Sequence, residues 1–121
     1  MSEGPSHLRV TQEDDVCVVH LADRKILEEV NIREIEEEVV TLVEGTPQIK
    51  LLMSFQNVEH LSSAALGALI NINKRVGQLG GHLKLSDINP QIFEVFRITR
   101  LNKLFDIHPT AAEALAAFAK P

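Results

Sequence analysis

Ile49-Lys50-Leu51-Leu52-Met53-Ser54-Phe55 is a nearly unbroken apolar run, and after a short polar spacer comes Leu61-Ser62-Ser63-Ala64-Ala65-Leu66-Gly67-Ala68-Leu69. The first stretch has the length and continuity of a largely buried strand. The second opens on two hydroxyl residues. It then places Leu66, Leu69, Ile70, Asn73, Val76 and Leu79 at helical spacing and ends at Gly80-Gly81, a C-terminal stop. His82 to Ser86 next alternates as a strand does. Strand, capped helix and strand in this order imply parallel pairing through a crossover.

Upstream, Leu8 to Thr11 and Val16 to Leu21 flank the polar Gln12-Glu13-Asp14-Asp15, a pattern that suits a hairpin. Asp23 to Asn31 has no clear period and reads as a loop. Ile32, Ile35, Val39, Leu42 and Val43 then make one apolar helical stripe, with Glu34, Glu36, Glu37 and Glu38 on the solvated side and Gly45, Thr46 and Pro47 as its end. Downstream, Pro90 suits a first helical turn, and Ile92, Phe93, Val95 and Phe96 form a short apolar face. Pro109 and Thr110 start a last helix lined by Ala111, Ala114, Leu115 and Phe118. Phe93, Phe96, Phe105 and Phe118 read as core. The predicted fold is α/β: a mixed sheet of about four strands that begins with an N-terminal β-hairpin, and about four helices packed mainly on one side.

The 121 residues suit one domain, placed at 8–119 after a flexible N-terminus, 1–7. The chain is 45% hydrophobic and 24% charged, an ordinary globular balance, and its net charge of −5 argues against a nucleic-acid partner. No apolar run approaches the roughly 18 to 20 residues of a membrane span. Met1 to His7 contains no lysine or arginine and has no apolar core, so it reads as neither signal peptide nor anchor, and a cytoplasmic location is expected. Cys17 is the sole cysteine and sits among valines, which suits burial better than reactivity.

Catalysis needs convergent reactive groups, yet His7, His20, His60, His82 and His108 are scattered along the chain without metal-binding spacing. Phosphate-cradling loops, paired cysteines and HExxH are missing, so no catalytic residue, metal or cofactor is expected. His60 as a base toward Ser62 or Ser63 would still lack an orienting group and an oxyanion site. Ser54, Gln56 and Asn57 suit local backbone bonding. Arg97, Arg100 and Lys103 suit a solvated turn. The serine pair is different, because a helix start leaves N–H groups unpartnered and carries partial positive charge. Serine there serves as a cap, and a phosphate added there would be tolerated, so both roles stay open.

The ordered set of SSAALGAL, a helix ending in GG, HLKLSD and LNKLFDIHPTAAEAL resembles the STAS domain family, of the anti-sigma factor antagonist type, over roughly residues 8 to 119. In that family the motif Asp-Ser-Ser/Thr-Gly-Leu-Gly precedes the second helix, and its first serine is phosphorylated by a partner that is both kinase and anti-sigma factor. Set against Leu66-Gly67, the motif's aspartate falls on Ser62, its phosphorylated serine on Ser63, its second hydroxyl residue on Ala64 and its first glycine on Ala65. The resemblance therefore implies Ser63 as phosphoacceptor, with Ser62 second, and a partner surface of Asn57, Glu59, His60, Ser62, Ser63 and Ala64. It implies an anti-sigma factor with serine kinase activity, or another STAS-binding protein, as partner, and leaves a homodimer open. The alternative is a constitutive scaffold or adaptor in a larger signalling or transport assembly, in which the serines only cap.

Overall fold

The apolar run around Leu52 forms the middle of a five-stranded sheet. In chain order the elements are β1 (Leu8–Glu13), β2 (Val16–Leu21), β3 (Lys25–Ile26), α1 (Glu29–Glu44), β4 (Lys50–Ser54), β5 (His60–Leu61), α2 (Ser63–Gln78), β6 (His82–Ser86), α3 (Pro90–Ile98), β7 (Asp106–His108) and α4 (Ala111–Ala119). A computed structural model describes residues 7–119. Residues 1–6 of the N-terminus expected to be flexible lie outside the described residues, as do 120 and 121.

The sheet runs β1-β2-β4-β6-β7, with β1 antiparallel to β2 and every other neighbour parallel. The hairpin reaches further than its apolar pattern: β1 continues to Glu13, and Asp14 makes the turn at φ 56. Period-two alternation divides β4 between two cores. Leu51 and Met53 join the large cluster with Ile32, Ile35 and Val39 of α1 and Leu66, Leu69 and Ile72 of α2, while Leu52 joins Val16, Val18, Ala114 and Phe118 on the opposite face. Ile92 and Phe96 of α3 belong to the large cluster, so α4 alone packs on the other face. Each fully buried Leu, Met or Phe in these clusters stabilises the fold by about 1.5–3 kcal/mol. Cys17 is buried, and that burial pushes its thiol pKa up.

The turn after α2 needs its glycines. Gly80 has φ +76, and a Cβ on Gly81 would stand 2.6 Å from the Ile49 carbonyl oxygen.

Several expectations change. The segment 23–31 is not only loop: Lys25 and Ile26 pair in parallel with His60 and Leu61 as a separate two-stranded ribbon, and α1 begins at Glu29. A two-residue strand is too short to show a period; the buried Ile26 holds it in place. The sheet gains a fifth strand, β7, whose three residues pair with Lys84, Leu85 and Ser86. Phe96 and Phe105 meet edge-on at 5.8 Å in the core, but Phe93 is 37% exposed and Val95 is exposed too. Nine residues of α3 offer one narrow buried face, which Ile92 and Phe96 fill.

Candidate functional site

Ser62 and Ser63 begin α2, and the fold uses them differently. Ser62 is the N-cap, in extended conformation, and its Oγ accepts a hydrogen bond from the Ala65 N–H at 3.2 Å. Its own N–H donates to the Ile26 carbonyl at 3.1 Å, so the ribbon of β3 and β5 sets where α2 starts. Ser63 is the first helical residue, and it is exposed together with Ala64. The first turn of α2 contains no acidic side chain of its own, so the N–H groups of Ser63 and Ala64 contribute to a positive helix end that no residue of that turn neutralises. Ala65, where the resembling motif has glycine, is buried in regular helix and lines a small apolar cavity together with Leu21, Ile26 and Ile32.

The spacer before the serines is braced from two sides. Val58 is buried and its N–H closes a turn onto the Phe55 carbonyl at 3.0 Å. The Arg24 carbonyl receives the N–H groups of Glu59 (2.7 Å) and His60 (3.1 Å), while the Arg24 guanidinium meets both Glu59 carboxylate oxygens at 3.2 and 3.3 Å. From the other side, Asn89 donates through Nδ2 to the carbonyls of Val58 (3.2 Å) and Glu59 (3.4 Å). Asn57, Glu59, His60, Ser63 and Ala64 are exposed and Ser62 is half-buried, which brings the expected set onto one continuous strip of chain. Among the described residues no hydrogen bond joins His60 to either serine. The Ser54 hydroxyl accepts from the Gln56 N–H at 3.4 Å, the local role expected of it.

Sequence reasoning missed two exposed apolar residues at the start of α1 and just ahead of it. Leu27 follows the Ile26 carbonyl that holds Ser62, and it is 49% exposed; Val30, in the first turn of α1, is 57% exposed. Val30 lies about 200° around the helix from Ile32, so the buried stripe cannot take it. That mismatch is the signal available in the sequence. Beyond the serines, Ala64, Gly67 and Asn71 of α2 face Glu29, Arg33 and Glu36 of α1 across a shallow groove. A Cβ on Gly67 would meet nothing within 4 Å, so the chain's own packing does not call for glycine there.

His7 completes the support. Its Nδ1 lies 2.7 Å from Asp23 Oδ2 and its Nε2 2.7 Å from Glu34 Oε1, which ties the residues ahead of β3 to α1. Burial lowers its pKa, but the hydrogen bonds and charges of Glu34 and Asp23 outweigh this and hold it above the usual histidine value.

Comparison with known proteins identifies the fold. The sequence pattern of the STAS domain matches residues 7–114. The chain belongs to the STAS domain family. A Thermotoga neapolitana protein named as a homologue of an anti-sigma factor antagonist is 36% identical over 66 residues, 54% of this chain and 58% of that protein. The anti-sigma-B factor antagonist of Bacillus subtilis is 29% identical over 73 residues, 60% of this chain and 65% of that one. The match thus spans less than two thirds of either relative. Among solved structures, an anti-sigma-factor antagonist (STAS) domain protein from Planctomyces limnophilus superposes with a TM-score of 0.84 at 25% identity, covering 96% of this chain and all of that chain (100%). No described helix is long and apolar enough to cross a membrane.

Proposed function

We propose that this STAS domain is a non-enzymatic, cytoplasmic anti-sigma factor antagonist, which docks the start of α2 and the strip Asn57–Ala64 against an anti-sigma factor with serine kinase activity. Phosphorylation of Ser63 switches it off. The observation that carries the reading is the division of labour at the helix start: Ser62 spends its hydroxyl on the cap, which leaves the Ser63 hydroxyl exposed beside unpartnered amides. A phosphate on Ser63 adds nearly two negative charges to a surface meant to be covered by the partner, so desolvation and repulsion release the complex. The same charge sits well at the positive end of α2, so the free phosphoprotein stays folded.

Gly67 supports the docking surface. An exposed glycine within a helix costs about 1 kcal/mol relative to alanine, and a partner backbone packed closely on α2 is a reason to keep it.

The test is mass spectrometry of the protein from its native cells, together with binding of Ser63→Ala and Ser63→Asp to the cognate anti-sigma factor. Ser63→Ala should bind as the unmodified protein does, and Ser63→Asp should bind weakly. Equal binding by both variants would overturn the switch. The scaffold reading draws support from the absence of a carboxylate in the first turn of α2. It requires an unmodified Ser63 in cells and partner binding indifferent to either substitution.

A further inference from the structure

β1 is an outer strand, and β2 occupies only one of its edges. The Ala22 N–H donates to the His7 carbonyl at 2.9 Å, which sets the phase of this antiparallel ladder. Every second residue exchanges backbone bonds with its opposite, so Arg9, Thr11 and Glu13 point their N–H and C=O groups at β2, and Val10 and Gln12 point theirs outward. The strand contains no proline or lysine, and its register with β2 is unbroken by a bulge. These are devices by which an edge is usually blunted. Val10 is 48% exposed.

The charges on this edge complement themselves. Arg9, Thr11 and Glu13 share one face of the strand, and among the described residues neither Arg9 nor Glu13 has an ion-pair partner. We propose that two copies of this chain associate antiparallel through β1, with Thr11 opposite Thr11 on a two-fold axis, so that the two sheets become one. In that register Arg9 of each copy faces Glu13 of the other, in the non-hydrogen-bonded sites where cross-strand side chains come closest. Val10 faces Gln12, and both already present outward N–H and C=O groups, so backbone phase and charge pairing select the same alignment. A one-residue slip breaks the phase, and a two-residue slip takes Arg9 off Glu13. The interface is isologous, as a closed pair requires. Edge pairing covers little area and its ion pairs are exposed, so association depends on concentration and weakens with salt.

Sedimentation velocity across a concentration series, at low and high salt, tests this. Dimer should grow with concentration and recede with salt. Arg9→Glu and Glu13→Arg each set like charges face to face and should each weaken association about tenfold or more. An equimolar mixture of the two variants restores it, because each mixed pair again sets acid against base on both sides of the axis. The charge-swapped double variant R9E/E13R should also dimerise. As an independent readout, hydrogen exchange at the Val10 and Gln12 amides should slow as wild-type concentration rises. A monomer at every concentration, a dimer indifferent to both reversals, a mixture that fails to reassociate, or amide exchange independent of concentration would each overturn the proposal.

Discussion

The starts of α2 and α3 are each capped by a side chain, and Asn89 at the second bonds to the Val58 and Glu59 carbonyls of the spacer leading into the first. They end the comparison in opposite states. At α3, Asn89 accepts from the Ile92 N–H at 2.8 Å through Oδ1 and spends Nδ2 on two carbonyls, while Pro90 has no N–H to satisfy. Both ends of the Asn89 side-chain amide are used within the fold. At α2, Ser62 makes one capping bond, and beyond it stand an exposed hydroxyl, two amides and small residues through Gly67. A helix start that is saturated holds structure together; one left with polar groups to spare can receive a partner or a phosphate.

This contrast predicts a ranking of substitutions. Asn89→Ala removes a cap and also orphans the carbonyl of buried Val58, so it should destabilise the protein most, by about 2 kcal/mol in chemical denaturation. Loss below a few tenths would erase the distinction drawn between the two helix starts. Ser62→Ala, which gives up only a cap, should cost about 1 kcal/mol, while Ser63→Ala should stay within about 0.5 kcal/mol of wild type. If Ser63→Ala were the more damaging of the two, the assignment of cap and free hydroxyl would be reversed.

Within α2, Gly67 and Gly77 are alike in packing, because a Cβ at either meets nothing within 4 Å. Alanine at either site should raise the denaturation midpoint, by up to about 1 kcal/mol of stability. Only Gly67→Ala should weaken binding to the proposed anti-sigma factor partner; equal loss of binding at Gly77 would remove Gly67 from the proposed docking surface.

The smallest effect concerns His7, which ties the residues ahead of β3 to α1. A histidine held at a raised pKa in the folded state contributes stability that is fully present below its unfolded pKa and is lost as pH rises through the folded value. Thermal melts of wild type should therefore show this contribution in mildly acidic buffer and its loss above neutrality, and His7→Gln should flatten that dependence. His20 acts in the opposite sense: burial and then Arg9 lower its pKa, so its contribution to stability falls as pH falls. The difference between wild type and His7→Gln isolates the first group from the second.

The strand at Ile49–Phe55, the helix after the serines and the strand at His82–Ser86 were legible because each spans several repeats of its own period, bounded by a hydroxyl cap or by Gly80-Gly81. The ribbon of Lys25–Ile26 with His60–Leu61 and the short strand Asp106–His108 were not legible, since two or three residues carry no period and exist only through their partners. Phe93 and Val95 misled because a nine-residue helix carries more apolar residues than its one contact face can bury.

Hydrophobic spacing and turn chemistry, which act within a few residues along the chain, were enough to specify the α/β order and to locate a hydroxyl pair at a helix start. Which hydroxyl caps and which is left over, and that Arg24 and Asn89 brace the spacer ahead of them, depended on hydrogen bonds between segments some thirty residues apart. Such bonds form only once the core has brought β3, β5 and α3 together, so local pattern could name the candidates but only tertiary packing could assign their roles.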